Sequence, residues 1–288
     1  MSLRSFIKNN FIKPLQSIPV QWYYTVKKTY SPVNSARREH HIVVSLTSFP
    51  ARFDTLHFAL KSILCQRMMP DAIVLVLTKD EVKGESELPQ SVLDLKKYGL
   101  QIFFADENLK PHNKYIYAMK MYPSSLVITV DDDNMYDKNM VQDLYNSYLQ
   151  YPAAVSAKRV HKIKKDANNN VLPYTEWSYE YKKETEPSRH LLATGVGGVL
   201  YPPGVLPPET FDKEKIRELC LNADDIWLKF MQLKKNIPAV WVKTRRVHPL
   251  VIRKSQKITL QGNNYHKGQN DTYIAAMQNY FGINLGEI

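Results

Sequence analysis

The chain has 288 residues, of which 44% are hydrophobic and 23% charged, and its net charge is +11. This length suits one large domain or two modest ones, and only 10 glycines with no low-complexity tract exclude a long disordered region. The two cysteines, Cys65 and Cys220, offer neither a disulfide framework nor metal-ligand spacing, which fits a reducing cytoplasm. No apolar run approaches the roughly 20 residues of a membrane span.

Residues 1–40 read as a basic, aromatic N-terminal extension. They carry seven lysines and arginines against Glu39 alone, a net charge of +6. Hydrophobic residues recur every three or four positions up to Ile18, and Trp22, Tyr23 and Tyr24 follow. This pattern is typical of an amphipathic helix lying on an anionic membrane surface. Pro14 should break such a helix, so packing against the rest of the protein stays open as the alternative.

From residue 41 to 150, apolar runs alternate with helical patterns. Strands are predicted in residues 41–49, 72–78, 100–106 and 125–130, and helices in 56–64, 92–97, 114–122 and 139–150. This alternation indicates an α/β fold with a Rossmann-like, mostly parallel central sheet flanked by helices. Ligands bind beyond the carboxyl ends of the strands in such sheets. The segments "SLTSFPAR" and "ITVDDDNMYD" should therefore face one crevice.

The second half of the chain, residues 151–288, has a different pattern. Residues 153–179 look like a hairpin, and the Gly- and Pro-rich "LLATGVGGVLYPP" suggests a shaped loop. A helix is predicted in residues 222–235, a strand in 238–244 and a last helix in 270–281. We expect a mixed α+β C-terminal half that continues the same sheet, so that residues 41–288 form one domain.

Three adjacent acids, Asp131, Asp132 and Asp133, end the fourth predicted strand. In an extended segment Asp131 and Asp133 would share a face, with Asp132 opposite. Crowded carboxylates raise each other's pKa unless a cation neutralises them. Mg²⁺ and Mn²⁺ bind carboxylate oxygens and keep positions for water and phosphates, so the pair predicts half a metal site. The alternative is a solvated turn in which Asp133 or Asp137 caps the next helix.

A second acidic pair, Asp224 and Asp225, begins the predicted helix in "NADDIWLKF". Capping by Asn222 or Asp224 explains one acid, because the helix dipole favours negative charge in the first turn. Adjacent helical residues diverge by roughly 100°, so the other acid can point into a cleft. One of the two is a candidate general base.

Basic and histidine side chains complete the candidate set. Arg52 follows the first strand and Lys114 precedes a helix, both at the edge where a diphosphate would bind. His248 and, less favoured, His266 are candidate third metal ligands. The alternative for each of these four residues is an ordinary structural role or a side chain exposed to solvent.

In this order, these segments resemble the nucleotide-diphospho-sugar glycosyltransferases of the A-type fold. Among them, the chain is similar to the bacterial family-two-like enzymes that build capsule and lipopolysaccharide glycans. The resemblance covers about residues 42–281 and rests on five segments: "IVVSLTSFPARFDTLHFALKSILCQ", "KPHNKYIYAM", "ITVDDDNMYD", "ATGVGGVLYPP" and "ADDIWLKFM".

The resemblance implies a role for each candidate residue. Asp131 and Asp133 would hold Mn²⁺ or Mg²⁺ against the donor diphosphate, and His248 stays the third ligand that the residues themselves suggest. Asp225 would be the catalytic base, with Asp224 beside it. The donor-binding residues would be Thr47, Ser48, Arg52, Lys114 and Asp132. Residues 41–150 would then bind the nucleotide-diphospho-sugar, and residues 151–288 a glycan or lipid-linked saccharide acceptor.

The implied reaction is a metal-dependent, inverting transfer of one sugar in capsule or lipopolysaccharide synthesis. The expected location is cytoplasmic, peripheral on the inner face of the membrane through residues 1–40. The acidic pair is Asp-Asp where many family-two enzymes have Glu-Asp, so either residue can be the base, and retention also stays open. No Gln-x-x-Arg-Trp motif appears, which argues against a processive synthase.

Three other functions compete. A nucleotidyltransferase that makes sugar nucleotides would have a Gly-rich basic loop after the first strand, and "SLTSFPARF" has no glycine. A nucleic-acid or anionic-surface binding protein fits the charge, but most of the excess lies in the extension, so we expect no nucleic-acid partner. A catalytically inactive scaffold of the same fold is the third.

Overall fold

The computed structural model describes residues 13–243, 249–253, 255 and 268–288, and the structural statements below concern these residues. The helices are α1 Lys13–Val26, α2 Phe53–Ile63, α3 Gln90–Leu93, α4 Asn113–Met121, α5 Met140–Gln150, α6 Lys213–Leu219, α7 Asp224–Lys234 and α8 Gln269–Phe281. The strands are β1 Ile42–Thr47, β2 Ala72–Thr78, β3 Leu100–Ala105, β4 Leu126–Thr129, β5 Asn134–Met135, β6 Val155–Ala157, β7 Val160–Lys162, β8 Leu191–Ala193, β9 Val199–Tyr201, β10 Ala239–Trp241 and β11 Leu250–Val251.

Seven strands form the central sheet, in the order β10-β6-β9-β4-β1-β2-β3. The neighbours β1–β2, β2–β3, β1–β4 and β6–β10 are parallel, and β9 is antiparallel to both β4 and β6. Every residue of β2 is buried, as expected of a strand covered on both faces. The predicted α/β fold with a mostly parallel sheet is confirmed.

This topology brings distant segments to one edge of the sheet. The carboxyl ends of the parallel strands lie at the same edge as the amino end of the antiparallel β9. Residues 48–52 after β1, 130–133 after β4 and 195–198 before β9 therefore meet there. The helix that begins at Asp224 reaches the same edge through its contacts, described below.

Helices cover both faces of the sheet. On one side, α2 buries a stripe of Leu56, Leu60 and Ile63, and α5 packs in the same cluster of hydrophobic residues. On the other side, α4, α7 and α8 pack around the fully buried Trp227 and Tyr115. The sheet is thus held rigidly between two hydrophobic layers, which fixes the edge that carries the polar residues.

Two predictions for the second half of the chain are wrong in part. Residues 153–179 do not form one hairpin: β6 enters the central sheet, β7 pairs with β8, and only two isolated bridges cross the expected turn. The glycine-rich segment is not only a loop, since it contains β8 and β9 on either side of a short 3-10 helix, Gly195–Gly197. The predicted continuation of the same sheet is nevertheless observed.

Helix α1 packs on the body of the protein despite its prolines. Pro14 lies in its first turn, where the missing N–H costs little, and Pro19 lies inside the helix. Tyr24 is buried against Ala59, Met135 and Ile252. Among the described helices, none combines the length and apolarity needed to cross a bilayer.

Candidate active site

The three adjacent acids lie just beyond β4, and residues 132–133 form a turn, not an extended segment. We call residues 131–133 the acidic turn. Its geometry corrects one expectation: Asp132 and Asp133 both approach Arg52, whereas Asp131 points to Lys114. The capping alternative holds in part: Asn139 makes no side-chain cap bond, but Asp137 Oδ1 accepts from the Asn139 N–H at 3.0 Å, and Gln66 Oε1 accepts from the Val141 N–H in the first turn at 3.1 Å.

Arg52 joins the end of β1 to the acidic turn. It ends the short 3-10 helix Pro50–Arg52 and is 7% exposed. Its Nη1 lies 2.8 Å from Asp132 Oδ1 and 2.9 Å from Asp133 Oδ2. The Ser48 hydroxyl donates to Asp132 Oδ2 at 2.6 Å. Burial raises the pKa of Asp132 to about 7, against the opposing effect of Arg52.

Lys114 joins the acidic turn to the start of α7. Its Nζ lies 2.8 Å from Asp131 Oδ1 and 2.9 Å from Asp224 Oδ2, and its side chain is 6% exposed. Burial alone would lower the pKa of Lys114, but the surrounding carboxylates, Asp131 first, raise it well above its ordinary value. Burial opposes ionisation of Asp224, yet Lys114 holds the pKa of that carboxyl below its ordinary value. One ammonium group therefore links two acidic segments that are far apart in sequence.

Asp225, the second acid of α7, points to the glycine segment before β9. Its Oδ1 accepts a hydrogen bond from the Gly195 N–H at 3.0 Å. Burial and the adjacent Asp224 carboxylate raise the pKa of Asp225 to about 8. The two acids thus differ sharply: Asp224 is neutralised by a cation, while Asp225 has an affinity for a proton near neutral pH. This separation is typical of a site in which one carboxyl group works as a base.

A side chain at Gly195 would crowd the neighbouring ion pair. A Cβ there would lie 2.9 Å from Lys114 Nζ and 3.2 Å from Asp131 Oδ1. Real Cβ atoms do not approach a charged group that closely without displacing it. Gly195 therefore allows the backbone to lie against the Lys114–Asp131 ion pair.

Buried polar residues that the sequence did not single out support this arrangement. The Tyr136 hydroxyl donates to the Asp131 carbonyl at 3.1 Å and accepts from the Asp131 N–H at 2.6 Å, which braces the acidic turn. The His112 Nε2 lies 2.9 Å from the Cys220 carbonyl, and burial lowers the pKa of His112 to about 4. The neutral His112 thus ties the start of α4 to the loop before α7. Its only sequence signal was its place two residues before Lys114.

The remaining candidates have mixed positions. Thr47 lies at the end of β1, and its hydroxyl donates to the Val76 carbonyl at 2.8 Å, within the sheet. His248 and His266 lie outside the described residues, so their assignment as metal ligands stays a prediction. The other predicted site residues are brought together at one edge of the sheet.

Among the described residues, the site carries more negative than positive charge. Five carboxyl groups, those of the acidic turn and of Asp224 and Asp225, face two cations, Arg52 and Lys114. In residues 13–243 and the described segments beyond them, no group of three His, Cys, Asp or Glu side chains is arranged to hold a metal ion. The Asp131 and Asp133 side chains are 26% and 19% exposed, however. Their oxygens suit Mg²⁺ or Mn²⁺, which are often held by one or two carboxylates together with substrate phosphates.

Solved structures resemble this chain at low sequence identity. A mannosyltransferase from Pyrobaculum calidifontis, PcManGT in complex with GDP-Man and Mn²⁺, is 14% identical with a TM-score of 0.51, over 97% of this chain and 75% of its own. S. aureus TarS 1-349 is 15% identical with a TM-score of 0.48, over 83% and 66%. CMP:2-keto-3-deoxy-manno-octonic acid synthetase complexed with CTP is 12% identical with a TM-score of 0.40, over 72% and 90%. The first supports the fold, and the lower scores of the other two carry no argument.

A search of curated proteins finds no match. A comparison with sequence families gives more direct evidence of the family. The model of "Glycosyl transferase family 2" matches residues 47–199, which is 153 of the 288 residues. The matched region begins at Thr47, the last residue of β1, and includes the acidic turn, Lys114 and the glycine segment at Gly195. It sets aside the non-enzymatic alternative and confirms the resemblance drawn from the sequence. The chain belongs to glycosyl transferase family 2 and is a glycosyltransferase of the A-type fold.

Proposed function

We propose that this protein transfers one sugar from a nucleotide-diphospho-sugar to a hydroxyl group of a glycan or lipid-linked acceptor. The observation that carries the proposal is the single ammonium of Lys114, which lies within 2.9 Å of both Asp131 and Asp224. It brings the acidic turn, where a donor diphosphate would bind, next to the start of α7, where a base would act.

Electrostatics favours a divalent cation at the acidic turn. Among the residues that the structure describes, carboxyl groups outnumber cations at this site, and a divalent cation would balance that excess of negative charge. We propose that Asp131 and Asp133 hold Mn²⁺ or Mg²⁺ and that water and donor phosphates supply the other ligands. A bound cation would neutralise the charge that builds on the departing nucleoside diphosphate.

The protein side chains would then bind the phosphates and remove the proton of the acceptor hydroxyl. Arg52 and Lys114 are placed to bind the phosphates, and Ser48 and Asp132 orient Arg52. Asp225 removes the proton from the acceptor hydroxyl as its oxygen bonds to the anomeric carbon. The bond between that carbon and the diphosphate oxygen breaks at the same time, which inverts the configuration. Gly195 would hold Asp225 in place through its N–H.

The role of the two halves of the chain follows from this arrangement. We propose that residues 41–150 bind the donor, because they supply Arg52, Lys114 and the acidic turn. Residues 151–288 would bind the acceptor, because they supply Asp225 and the glycine segment. Capsule or lipopolysaccharide synthesis is the process in which such a bacterial enzyme would act.

A thermal-shift panel tests the donor class directly. The full chain is heated with UDP-, GDP-, CMP- and dTDP-sugars, each with Mn²⁺ and with EDTA. A ligand that binds only the native state at about 100 times its Kd adds about 2.7 kcal/mol of apparent stability. We expect one nucleotide to raise the melting temperature only with the metal. Stabilisation that EDTA leaves unchanged, or none with any donor, would contradict the proposal.

Product analysis separates the proposal from the nucleotidyltransferase alternative. Turnover of the stabilising donor with acceptor extracts should release a nucleoside diphosphate. Release of pyrophosphate from a nucleoside triphosphate and a sugar phosphate would instead support the nucleotidyltransferase.

Gly195→Ala should weaken both donor binding and turnover. The added Cβ would displace Lys114 or Asp131, since it lies 2.9 Å and 3.2 Å from their nearest atoms. We expect a loss of donor turnover of about tenfold or more, from the sensitivity of catalysis to misplacement by roughly 1 Å. Gly84→Ala is the matched control, because a Cβ at Gly84 meets nothing within 4 Å. Equal activity of the two variants would show that close approach at Gly195 has no role.

A further inference from the structure

Helix α1 presents an apolar face that stays exposed in the part of the chain that the structure describes. Ser17 and Tyr24 face the body and are 0% and 7% exposed. The exposed apolar residues on the outward side are Ile18, Pro19, Trp22, Tyr23 and Val26. At 3.6 residues per turn they cover roughly 140° of the helix circumference as one continuous strip. We call these five residues the outward face of α1.

This face stands out from the rest of the described surface. Seven large hydrophobic side chains are exposed there, and four of them lie on α1: Ile18 at 39%, Trp22 at 65%, Tyr23 at 46% and Val26 at 49%. Single exposed hydrophobic residues are ordinary, but a contiguous group marks an interaction surface. Trp and Tyr are also the residues that prefer the boundary between a bilayer and water.

The charge around the helix identifies the partner. Residues 1–38 contain seven lysines and arginines and not one aspartate or glutamate. Within the described part, Lys27 and Lys28 follow the helix, and the Lys27 ammonium lies 5.6 Å from the centre of the Tyr23 ring. An apolar face whose flanking sequence carries only positive charge is complementary to a surface that combines acyl chains with anionic head groups.

The body of the protein connects α1 to the acidic turn. The Gln21 side chain accepts from the Arg253 N–H at 2.9 Å, and the Ile252 N–H donates to the Asp133 carbonyl at 2.8 Å. The strand β11 that leads into these residues pairs with β5, directly after the acidic turn. The Lys61 ammonium adds a bond to the Tyr24 carbonyl at 2.8 Å. The helix therefore has a fixed position, one strand away from Asp133.

We propose that the outward face of α1 docks the enzyme on an anionic lipid bilayer. Docking would place the acidic turn beside the membrane surface, and so favours an acceptor saccharide that is carried on a lipid. The inference of a lipid-carried acceptor rests on the proposed glycosyl transfer, whereas the inference of docking does not.

Vesicle co-sedimentation of the full chain tests docking. Vesicles of pure phosphatidylcholine are compared with vesicles that contain about 30 mol% phosphatidylglycerol. We expect binding to the anionic vesicles that weakens as salt rises from about 0.1 M to 1 M, because screening shortens the range of charge attraction. No binding, or equal binding to both compositions, would overturn the proposal.

A pair of matched variants tests the face itself. The triple variant Ile18→Ser/Trp22→Ser/Val26→Ser should lower the vesicle partition coefficient by roughly tenfold or more. The control Met121→Ser/Leu149→Ser/Tyr280→Ser removes three side chains with 39%, 53% and 48% exposure elsewhere and should bind like the wild type. Equal losses in the two triple variants would overturn the assignment. So would a wild-type dimer, seen by sedimentation velocity, that the first variant dissociates.

Tryptophan fluorescence gives a readout that does not depend on folding of the triple variant. The other three tryptophans, Trp177, Trp227 and Trp241, are 4%, 0% and 7% exposed. Brominated lipid should therefore quench Trp22 in the wild type and lose that effect in Trp22→Phe, which keeps an apolar ring. Absence of quenching in vesicle-bound protein would overturn insertion of this face.

Donor thermal shifts on the same samples, without vesicles, separate the two proposals. Binding to vesicles without any donor shift would contradict glycosyl transfer and leave docking in place. A donor shift without vesicle binding would contradict docking and leave glycosyl transfer in place.

Discussion

Asp225→Asn is expected to lower the rate of sugar transfer by roughly 10²- to 10⁴-fold while donor binding and the fold are retained. The asparagine keeps an oxygen that can accept the Gly195 N–H, so the local structure is preserved. It cannot accept a proton from the acceptor hydroxyl, however. Because the pKa of Asp225 is raised to about 8 by burial and by Asp224, the wild-type carboxylate has the proton affinity that a base needs.

Initial rates of nucleoside diphosphate release, with saturating donor and acceptor, measure this effect. Asp212→Asn is the matched control, since Asp212 also lies at a helix start and accepts from the Lys215 N–H at 2.9 Å. Asparagine caps a helix as well as aspartate does, so the control should be neutral. If Asp225→Asn transferred sugar at a rate close to that of the control, another residue would have to be the base.

Lys114→Met is expected to destabilise the protein by about 3–5 kcal/mol, the usual cost of removing one partner of a buried ion pair. The variant leaves Asp131 and Asp224 without the ammonium group that lies within 2.9 Å of each. The pKa of Asp224, now held down by Lys114, should then rise in the folded state. A carboxyl group whose folded pKa exceeds its unfolded pKa stabilises the fold as the pH falls. The variant should therefore recover part of its loss on acidification.

Urea unfolding at two pH values measures this loss and its recovery. The control is Lys96→Met, because Lys96 and Glu85 form an exposed pair, with both side chains 43% exposed, worth at most about 1 kcal/mol. The double variant Lys114→Met/Asp224→Asn should be more stable than Lys114→Met alone, since it removes an unpaired charge. If Lys114→Met lowered the free energy of unfolding no more than Lys96→Met does, the ion pairs of Lys114 would contribute little to the stability of the fold.

The first half of the fold was predictable because its pattern is local. Residues 72–77 are all apolar, and with Thr78 they form β2 with the predicted bounds. Amphipathic spacing likewise identified α2, α4 and α5. The second half was less predictable because β6 has three residues and pairs with β9 and β10, about 40 and 80 residues later in the chain. Short strands of this kind depend on partners that no local pattern reveals.

The site was predictable in its location but not in its geometry. The sequence pattern placed Arg52, Lys114 and the acids at the ends of strands and helices. This was enough to predict that they meet at one edge of the sheet. The prediction that Asp131 and Asp133 share a face was wrong because the chain turns at residues 132–133. A turn changes which cation each carboxylate meets. Tyr136 and His112 were missed because their contacts, to Asp131 and to Cys220, appear only once the chain is folded.

The proposed mechanism requires the acidic turn to bind a divalent cation jointly with the donor diphosphate. Electron paramagnetic resonance of free Mn²⁺, titrated with the enzyme and with the donor found by the thermal-shift panel, tests it most directly. We expect the free Mn²⁺ signal to fall only when enzyme and donor are both present, and Asp131→Asn/Asp133→Asn to abolish that fall. Unchanged Mn²⁺ binding in the double variant, or full transfer activity in EDTA, would contradict the claim.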